Sequence, residues 1–246
     1  MSRAGVPSLP PVIGHRGAAG AAPENTLAAL RKAKELGAPW VEFDVRLTQD
    51  GRVILLHDDR IDRTTDGKGA ALDLSFEEIR RFDAGKWFSP EFSGETVPAF
   101  EEAISCLAEL GLGANIELKP AYGTEVATAE AVAGLLRSHW PDHLPLPLVS
   151  SFAPLAIEAF RAVAPEFPRG YLCVWLPRNW RRRVEALSCV TINCDYRRLD
   201  RDLVRKVGAE GYPLLAYTVN DKAKARELLD WGVTSLFTDR PDLLYK

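Results

Sequence analysis

A basic excess is missing from this chain. Lysine and arginine number 31 against 34 aspartates and glutamates, a formal net charge of −3. The counterion-releasing surface that nucleic-acid binding needs is therefore absent, and nucleic acid is excluded as a partner. The one cationic run, Arg181-Arg182-Arg183, is short and reads as the solvated face of a helix. Cysteine is scarce as well. Cys106, Cys173, Cys189 and Cys194 are scattered and form no C-x-x-C pair, which fits a reduced intracellular chain. No stretch approaches the roughly 20 apolar residues of a membrane span. Residues 1–11 carry Pro7, Pro10 and Pro11 where a signal peptide would carry an apolar run. The expectation is a cytoplasmic protein with no stable membrane insertion; a homo-oligomer is compatible with it. Internal repeats and low-complexity segments are absent too.

What is present is a chain of 246 residues, 46 % apolar and 26 % charged, the balance of a soluble globular protein. Short apolar runs at 12–15, 41–47, 53–57, 115–119, 148–151, 170–174, 190–194, 214–219 and 235–238 alternate with amphipathic helical patterns such as 24–36 and 221–231. Glycines 37, 111, 208 and 232 suit the helix ends. This alternation predicts parallel strands joined by crossover helices, and a closed barrel of eight such units takes roughly 250 residues. The surplus strand has a local cause: Thr48-Gln49-Asp50-Gly51 is too short for a parallel crossover and carries an Asp-Gly hairpin signal, so 53–57 folds back antiparallel on 41–47. Residues 58–98 hold polar turns, a short helical pattern capped by Ser75 with Glu78 three residues on, and Trp87, Phe88 and Phe92. They read as a small insertion over the C-terminal face of the barrel. The fold predicted is α/β: one TIM (β/α)8 barrel over 1–246, with an extra β-hairpin strand and that insertion.

Active sites of such barrels lie at the C-terminal ends of the strands. The first strand ends in Gly14-His15-Arg16-Gly17, where on its own a histidine bonded to a loop carbonyl is the simpler reading. Glu42 and Asp44 alternate with Val41, Phe43 and Val45, so both carboxylates share one face of the second strand. Two neighbouring acids in an apolar strand require a compensating positive charge, unless the strand is a solvated edge. A two-residue hairpin loop at Asp50-Gly51 sets His57 opposite Asp44, and one at Gln49-Asp50 sets it opposite Glu42; either register brings the imidazole to the carboxylate face, and a three-residue loop does not. Asn115, Glu117 and Lys119 share a face of a further strand, where Glu117 and Lys119 alone would pass for a structural ion pair. The chain has only 4 histidines. Two of them, with three acids, an arginine and a lysine, gather at strand ends, which favours one shared site.

Three carboxylates without clustered Cys or His suit a hard divalent ion, Mg²⁺ or Ca²⁺, held by Glu42, Asp44 and Glu117. Adding a divalent ion, Arg16 and Lys119 to these three acids leaves a single positive charge, which matches the single negative charge of a phosphodiester. His15 and His57 suit a general acid and a general base.

The chain also resembles the glycerophosphodiester phosphodiesterase family, most closely its small cytosolic bacterial members. The resemblance runs through His15-Arg16-Gly17 with Pro23-Glu24-Asn25-Thr26-Leu27; Glu42-Phe43-Asp44 with Asp50-Gly51 and His57-Asp58; Asn115 to Pro120; Ser150-Ser151-Phe152; and Tyr217-Thr218-Val219-Asn220 with Thr238-Asp239. It implies a TIM barrel and hydrolysis of small-molecule glycerophosphodiesters to sn-glycerol 3-phosphate and an alcohol. In that reading His15 and His57 are the acid–base pair, Glu42, Asp44 and Glu117 the metal ligands, and Arg16 and Lys119 the phosphate contacts. Tyr217 stands where family members often carry Trp and forms a pocket wall. Glu24 and Asn25 also suit the start of a helix, with Asn25 as its cap. Direct attack by water and attack by a glycerol hydroxyl through a cyclic phosphate both remain open. Two other readings compete: a related phospholipase D-like phosphodiesterase acting on lipids, for which Trp87 and Phe88 are the candidate apolar rim, and a non-catalytic barrel that binds phosphorylated metabolites.

Overall fold

Strands buried on both faces need apolar residues at every position except where function intervenes, and that is how this barrel is built. The computed structural model describes residues 5–244; Met1 to Ala4, within the proline-bearing N-terminal stretch, and residues 245–246 lie outside it. Nine strands form one sheet: β1 (Val12–Gly14), β2 (Trp40–Leu47), β3 (Val53–Leu55), β4 (Gly113–Leu118), β5 (Leu148–Ser151), β6 (Arg169–Cys173), β7 (Thr191–Asp195), β8 (Leu214–Tyr217) and β9 (Ser235–Thr238). Eight of them pair in parallel in the order β1-β2-β4-β5-β6-β7-β8-β9, and β9 pairs back onto β1 to close the barrel. Strand β3 lies outside the ring, antiparallel to β2. Between the strands run α1 (Leu27–Glu35), α2 (Phe76–Ile79), α3 (Phe100–Leu110), α4 (Glu125–His139), α5 (Pro154–Val163), α6 (Trp180–Ala186), α7 (Arg201–Ala209) and α8 (Lys222–Trp231). None of the described helices is long and apolar enough to cross a membrane.

Alternation along β2 sorts its side chains. Val41, Phe43 and Val45 join Phe100, Leu107, Ile116 and Leu118 in the layer between sheet and helices. Trp40 points inward and packs with Ile13, Leu148, Leu215 and Phe237 as the apolar floor of the barrel. Its indole lies against Gly113, where a Cβ would come within 2.3 Å of the ring, so the neighbouring strand needs a glycine there. Above this floor the inward positions become polar, and the site begins.

Two local expectations are corrected. Gly208 lies inside α7, where Val207 is buried, and the left-handed turn comes later, at Gly211 (φ 78°). The hairpin loop has three residues, not two: Leu47 pairs with Val53, and the Thr48 N–H bonds the Arg52 carbonyl at 2.9 Å, leaving Gln49-Asp50-Gly51 as the loop. The Thr48 hydroxyl sets this width, donating to Asp50 at 2.5 Å and accepting from the Arg52 N–H at 3.0 Å. The register therefore puts His57 opposite Phe43, on the wrong face, had the strand continued. It stops at Leu55, and the buried Arg46 grips the chain just beyond, bonding the His57 carbonyl at 2.8 Å and the Asp59 carboxylate at 2.5 Å. The backbone turns there, and His57 enters the barrel mouth by a route that strand geometry does not predict.

The following segment, 58–98, folds around its own apolar cluster of Ile54, Ile61, Phe76, Ile79 and Val97. Ser75 and Glu78 make the expected capping box at the start of α2. Trp87, Phe88 and Phe92 stack edge to face at 5.8 and 5.7 Å.

Candidate active site

A cavity of about 380 Å³ opens at the C-terminal ends of the strands, and His15, Arg16, Glu42, His57, Glu117, Lys119 and Tyr217 all line it. Asp44 lies beneath its surface, 1 % exposed. Every residue given a catalytic, metal or phosphate role from sequence is thus at one place, while Trp87 and Phe88 do not line the cavity; the edge-strand alternative for Glu42 and Asp44 fails because both are buried. One oxygen from each of Glu42, Asp44 and Glu117 falls within 4.8 Å of the others. The ladder explains why: Glu42 pairs with Asn115 and Asp44 with Glu117 across β2 and β4, so the carboxylates stack on adjacent inward positions.

Burial pushes the Glu42 carboxyl well above its ordinary pKa, and Asp44 and Glu117 add to the effect. Burial and Asp44 likewise raise Glu117 to about 7, against the opposing pull of Lys119. Burial acts on Asp44 in the same sense, but Lys119, Arg16 and His57 together outweigh it and hold this carboxyl low. Lys119 sits 2.5 Å from Glu117 and 3.5 Å from Asp44, and Arg16 Nε lies 3.4 Å from Asp44. Burial disfavours both cations, yet the acids around them raise their pKa values, so both stay charged. Glu42 Oε1 is buried and accepts no hydrogen bond. An all-oxygen donor set with an orphaned carboxylate oxygen fits a hard divalent ion.

Of the three non-glycine residues with left-handed backbone conformations among the described residues, two lie at the site: Arg16 (φ 48°) and Asn25 (φ 57°). Both serve this cluster. The turn at Arg16 aims its own N–H at Glu42 Oε2, 2.9 Å away. Asn25 does not cap the first helix; Thr26 does, accepting from the Ala29 N–H. The Asn25 amide instead clamps Asp44, donating to its carboxylate at 2.9 Å and accepting from its backbone N–H at 3.1 Å.

The two imidazoles are built alike. His15 Nδ1 meets Asp239 at 2.7 Å, and its Nε2 lies 3.9 Å from Glu42. His57 Nδ1 meets Asp58 at 2.6 Å. Each carboxylate holds the ring in the tautomer that carries its proton on Nδ1, which leaves Nε2 for proton exchange. Asp239 is itself held by Asn220 at 2.5 Å. Asp58 accepts at 2.6 Å from Arg63, whose other two nitrogens bond Glu24 at 2.8 Å, and Glu24 accepts from Arg16 at 2.7 Å. A continuous chain of charges therefore runs from His57 through Arg63 to Arg16. Burial lowers the His57 pKa, with Asp44 opposing.

Sequence reasoning did not assign roles to Asp58, Asp239, Arg63 and Arg46. Asp58 and Asp239 had a local signal, since each directly follows a strand-end site or strand-end threonine; Arg63 and Arg46 had none. Phe152 was part of a motif but was given no role. Its ring lies 5.4 Å under the Lys119 ammonium and 6.0 Å from Tyr217, edge to face, while the Tyr217 hydroxyl donates to the Cys173 carbonyl at 2.8 Å.

The chain matches the family model described as the glycerophosphoryl diester phosphodiesterase family over residues 15–243. The solved structure of an Oleispira antarctica phosphodiesterase, in complex with the product sn-glycerol-3-phosphate, superposes with a TM-score of 0.94 at 40 % identity, covering 96 % of both chains. A glycerophosphodiester phosphodiesterase of Caldanaerobacter subterraneus subsp. tengcongensis is 32 % identical over 237 residues, 95 % of each chain. The protein YhdW of Bacillus subtilis (strain 168) is 34 % identical over 239 residues, 96 % of each chain. Matched over nearly its whole length in sequence and in fold, with acids, imidazoles and cations converging on one cavity, the chain belongs to the glycerophosphoryl diester phosphodiesterase family.

Proposed function

We propose that the enzyme hydrolyses glycerophosphodiesters to sn-glycerol 3-phosphate and an alcohol, with Mg²⁺ or Ca²⁺ on Glu42, Asp44 and Glu117 and with His15 and His57 exchanging the protons. The observation that carries this reading is the convergence of three buried carboxylates with two imidazoles, each anchored through Nδ1. The sn-glycerol-3-phosphate in the Oleispira antarctica phosphodiesterase supports the product.

When bound, a divalent ion supplies Lewis acidity at a non-bridging phosphate oxygen. Arg16 and Lys119, both charged, line the same cavity and suit the contacts to a phosphate oxygen. One imidazole takes the proton from the attacking oxygen, and the other delivers a proton to the leaving alkoxide. That division of labour serves direct attack by water, and it serves attack by a neighbouring glycerol hydroxyl followed by hydrolysis of the cyclic phosphate. Asp58 and Asp239 keep the rings aimed, and Tyr217 with Phe152 walls the far side. Segment 58–98 is read as an insertion that supplies Arg63 to this site. A purely binding barrel would need the cations but neither the paired imidazoles nor three buried acids. Product analysis on glycerophosphocholine, with and without chelator, tests the reading: release of phosphocholine and glycerol in place of sn-glycerol 3-phosphate and choline would overturn it.

A further inference from the structure

Arg197, in the turn after β7, lines the catalytic cavity on the side away from Arg16 and Lys119. Its side chain is 72 % exposed, yet it is anchored. Nε and Nη2 bond the Asp195 carboxylate at 3.0 and 2.7 Å, and that carboxylate is buried at the end of β7. Held at two nitrogens, the guanidinium keeps Nη1 as a donor whose direction is set before a substrate arrives. Its surroundings have the same sign. Residues 174–198, which follow β6 and run through α6 and β7, hold six arginines and only two acids, Glu185 and Asp195, in a chain whose net charge is −3. Arg178, Arg181, Arg182, Arg183, Arg197 and Arg198 are all exposed. This is the basic part of an acidic molecule, and it draws anions toward the mouth. Across the cavity the charges already balance: three acids, a divalent ion, Arg16 and Lys119 leave one positive charge, which a phosphodiester cancels. A further negative charge on the substrate finds no partner there, and glycerol carries none. Such a charge can come only from the alcohol, and among the described residues lining the far side the cation is Arg197.

We propose that the enzyme prefers glycerophosphodiesters whose alcohol bears an anionic group of its own, a carboxylate or a second phosphate, and that Arg197 contacts that group. The proposal rests on the catalytic reading above and narrows its substrate class. The bonds that change are the same: the oxygen of water bonds to phosphorus, the bond from phosphorus to the alcohol oxygen breaks, and that oxygen takes its proton from an imidazole. Arg197 touches only the departing alcohol, so it acts on the choice between head groups and not on the proton transfers. An uncharged alcohol leaves Nη1 to water, and choline brings a positive charge against an arginine-rich rim.

The test compares kcat/KM within two matched pairs of substrates, for the enzyme supplied with excess Mg²⁺. Glycerophosphoethanolamine and glycerophosphoserine differ by one carboxylate; glycerophosphoglycerol and its terminal phosphate monoester differ by one phosphate. A preference of about threefold to tenfold for the anionic member is expected in at least one pair, the range for an arginine contact at a partly exposed site. It should shrink as salt is raised from about 50 to about 500 mM. The pair that shows it identifies the anion that is read. Arg197→Gln should bring the ratio within each pair close to one, and Arg197→Lys should keep part of it. Because Arg197→Gln leaves the buried Asp195 without its partner, the double variant Asp195→Asn with Arg197→Gln removes both charges together and is read in the same way. Turnover of glycerophosphoethanolamine with ratios near one in both pairs would overturn this inference and leave the catalytic reading standing. No turnover of any of these substrates would overturn both. A preference that survives both variants would place the anion on another cation and end the role of Arg197. A preference indifferent to salt would point to recognition by shape and equally overturn the proposal.

Discussion

The two sides of the barrel mouth differ in kind. β1, β2 and β4, with the turn after β3, supply the charged groups Arg16, Glu42, Asp44, Glu117 and Lys119 and both imidazoles. The opposite side, from β5 through β8, is mostly neutral where it meets the cavity, with Ser150, Phe152, Leu172, Asn193 and Tyr217; its one charged group, Arg197, is already paired with Asp195. Concentrating charge on adjacent strands brings three acids within reach of one ion, and the cost of burying them is offset only because Arg16 and Lys119 are buried with them. The neutral side leaves room for the organic part of a substrate and contributes shape. In the function proposed above, chemistry and selectivity would then occupy different strands of one ring.

This contrast makes unequal predictions. Stripping the charged side should cost most: chelator abolishes turnover, Mg²⁺ or Ca²⁺ restores it, and Asp44→Asn lowers kcat/KM by roughly 10³-fold or more, several kcal/mol of transition-state stabilisation. Full activity in excess chelator would remove the ion from the reaction. His15→Ala and His57→Ala should each lower kcat by roughly 10² or more with the fold retained by circular dichroism; wild-type turnover in either variant would exclude that ring from proton transfer. The orienting groups come next. Asp239→Asn and Arg63→Ala should lower kcat by about 10- to 100-fold with little change in KM, as expected when a ring or carboxylate loses its support. An Arg63→Ala enzyme with unchanged kcat would show that Asp58 holds His57 unaided. Least affected should be the neutral wall: Tyr217→Phe loses only the bond to the Cys173 carbonyl, about 1 kcal/mol of stability in a urea titration. A kcat loss for Tyr217→Phe as large as the roughly 10² predicted for the histidines would erase the distinction between the two sides.

Much of the site was legible before any coordinates because strand alternation is a strict rule. Glu42 with Asp44, and Asn115 with Glu117, had to share faces once β2 and β4 were recognised as strands. The boundaries of β5 (Leu148–Ser151) and β9 (Ser235–Thr238) matched residue for residue. The hairpin was misjudged by one residue, because Asp50-Gly51 suits a two-residue loop while the Thr48 hydroxyl selects a wider one. That single residue reverses the predicted face of His57; the chain turns beyond β3, where Arg46 bonds the His57 carbonyl and Asp58 bonds its ring, and the ring lines the cavity. Asn25 reads as a helix cap by composition, yet it serves Asp44, 19 positions away in the chain.

Periodicity and local chemistry decided which residues turn inward, how many strands there are, and that the inward acids demand a positive partner, because these follow from backbone geometry and the cost of burying charge over a few residues. Which carboxylate meets which cation, how His57 is delivered and how Arg63 ties two loops together depended on contacts between residues that are not neighbours in the chain, such as Lys119 with Asp44, Arg46 with Asp59 and Arg63 with Glu24. Such contacts leave no periodic trace in a chain; they exist only once the barrel has closed and brought distant loops to the same rim.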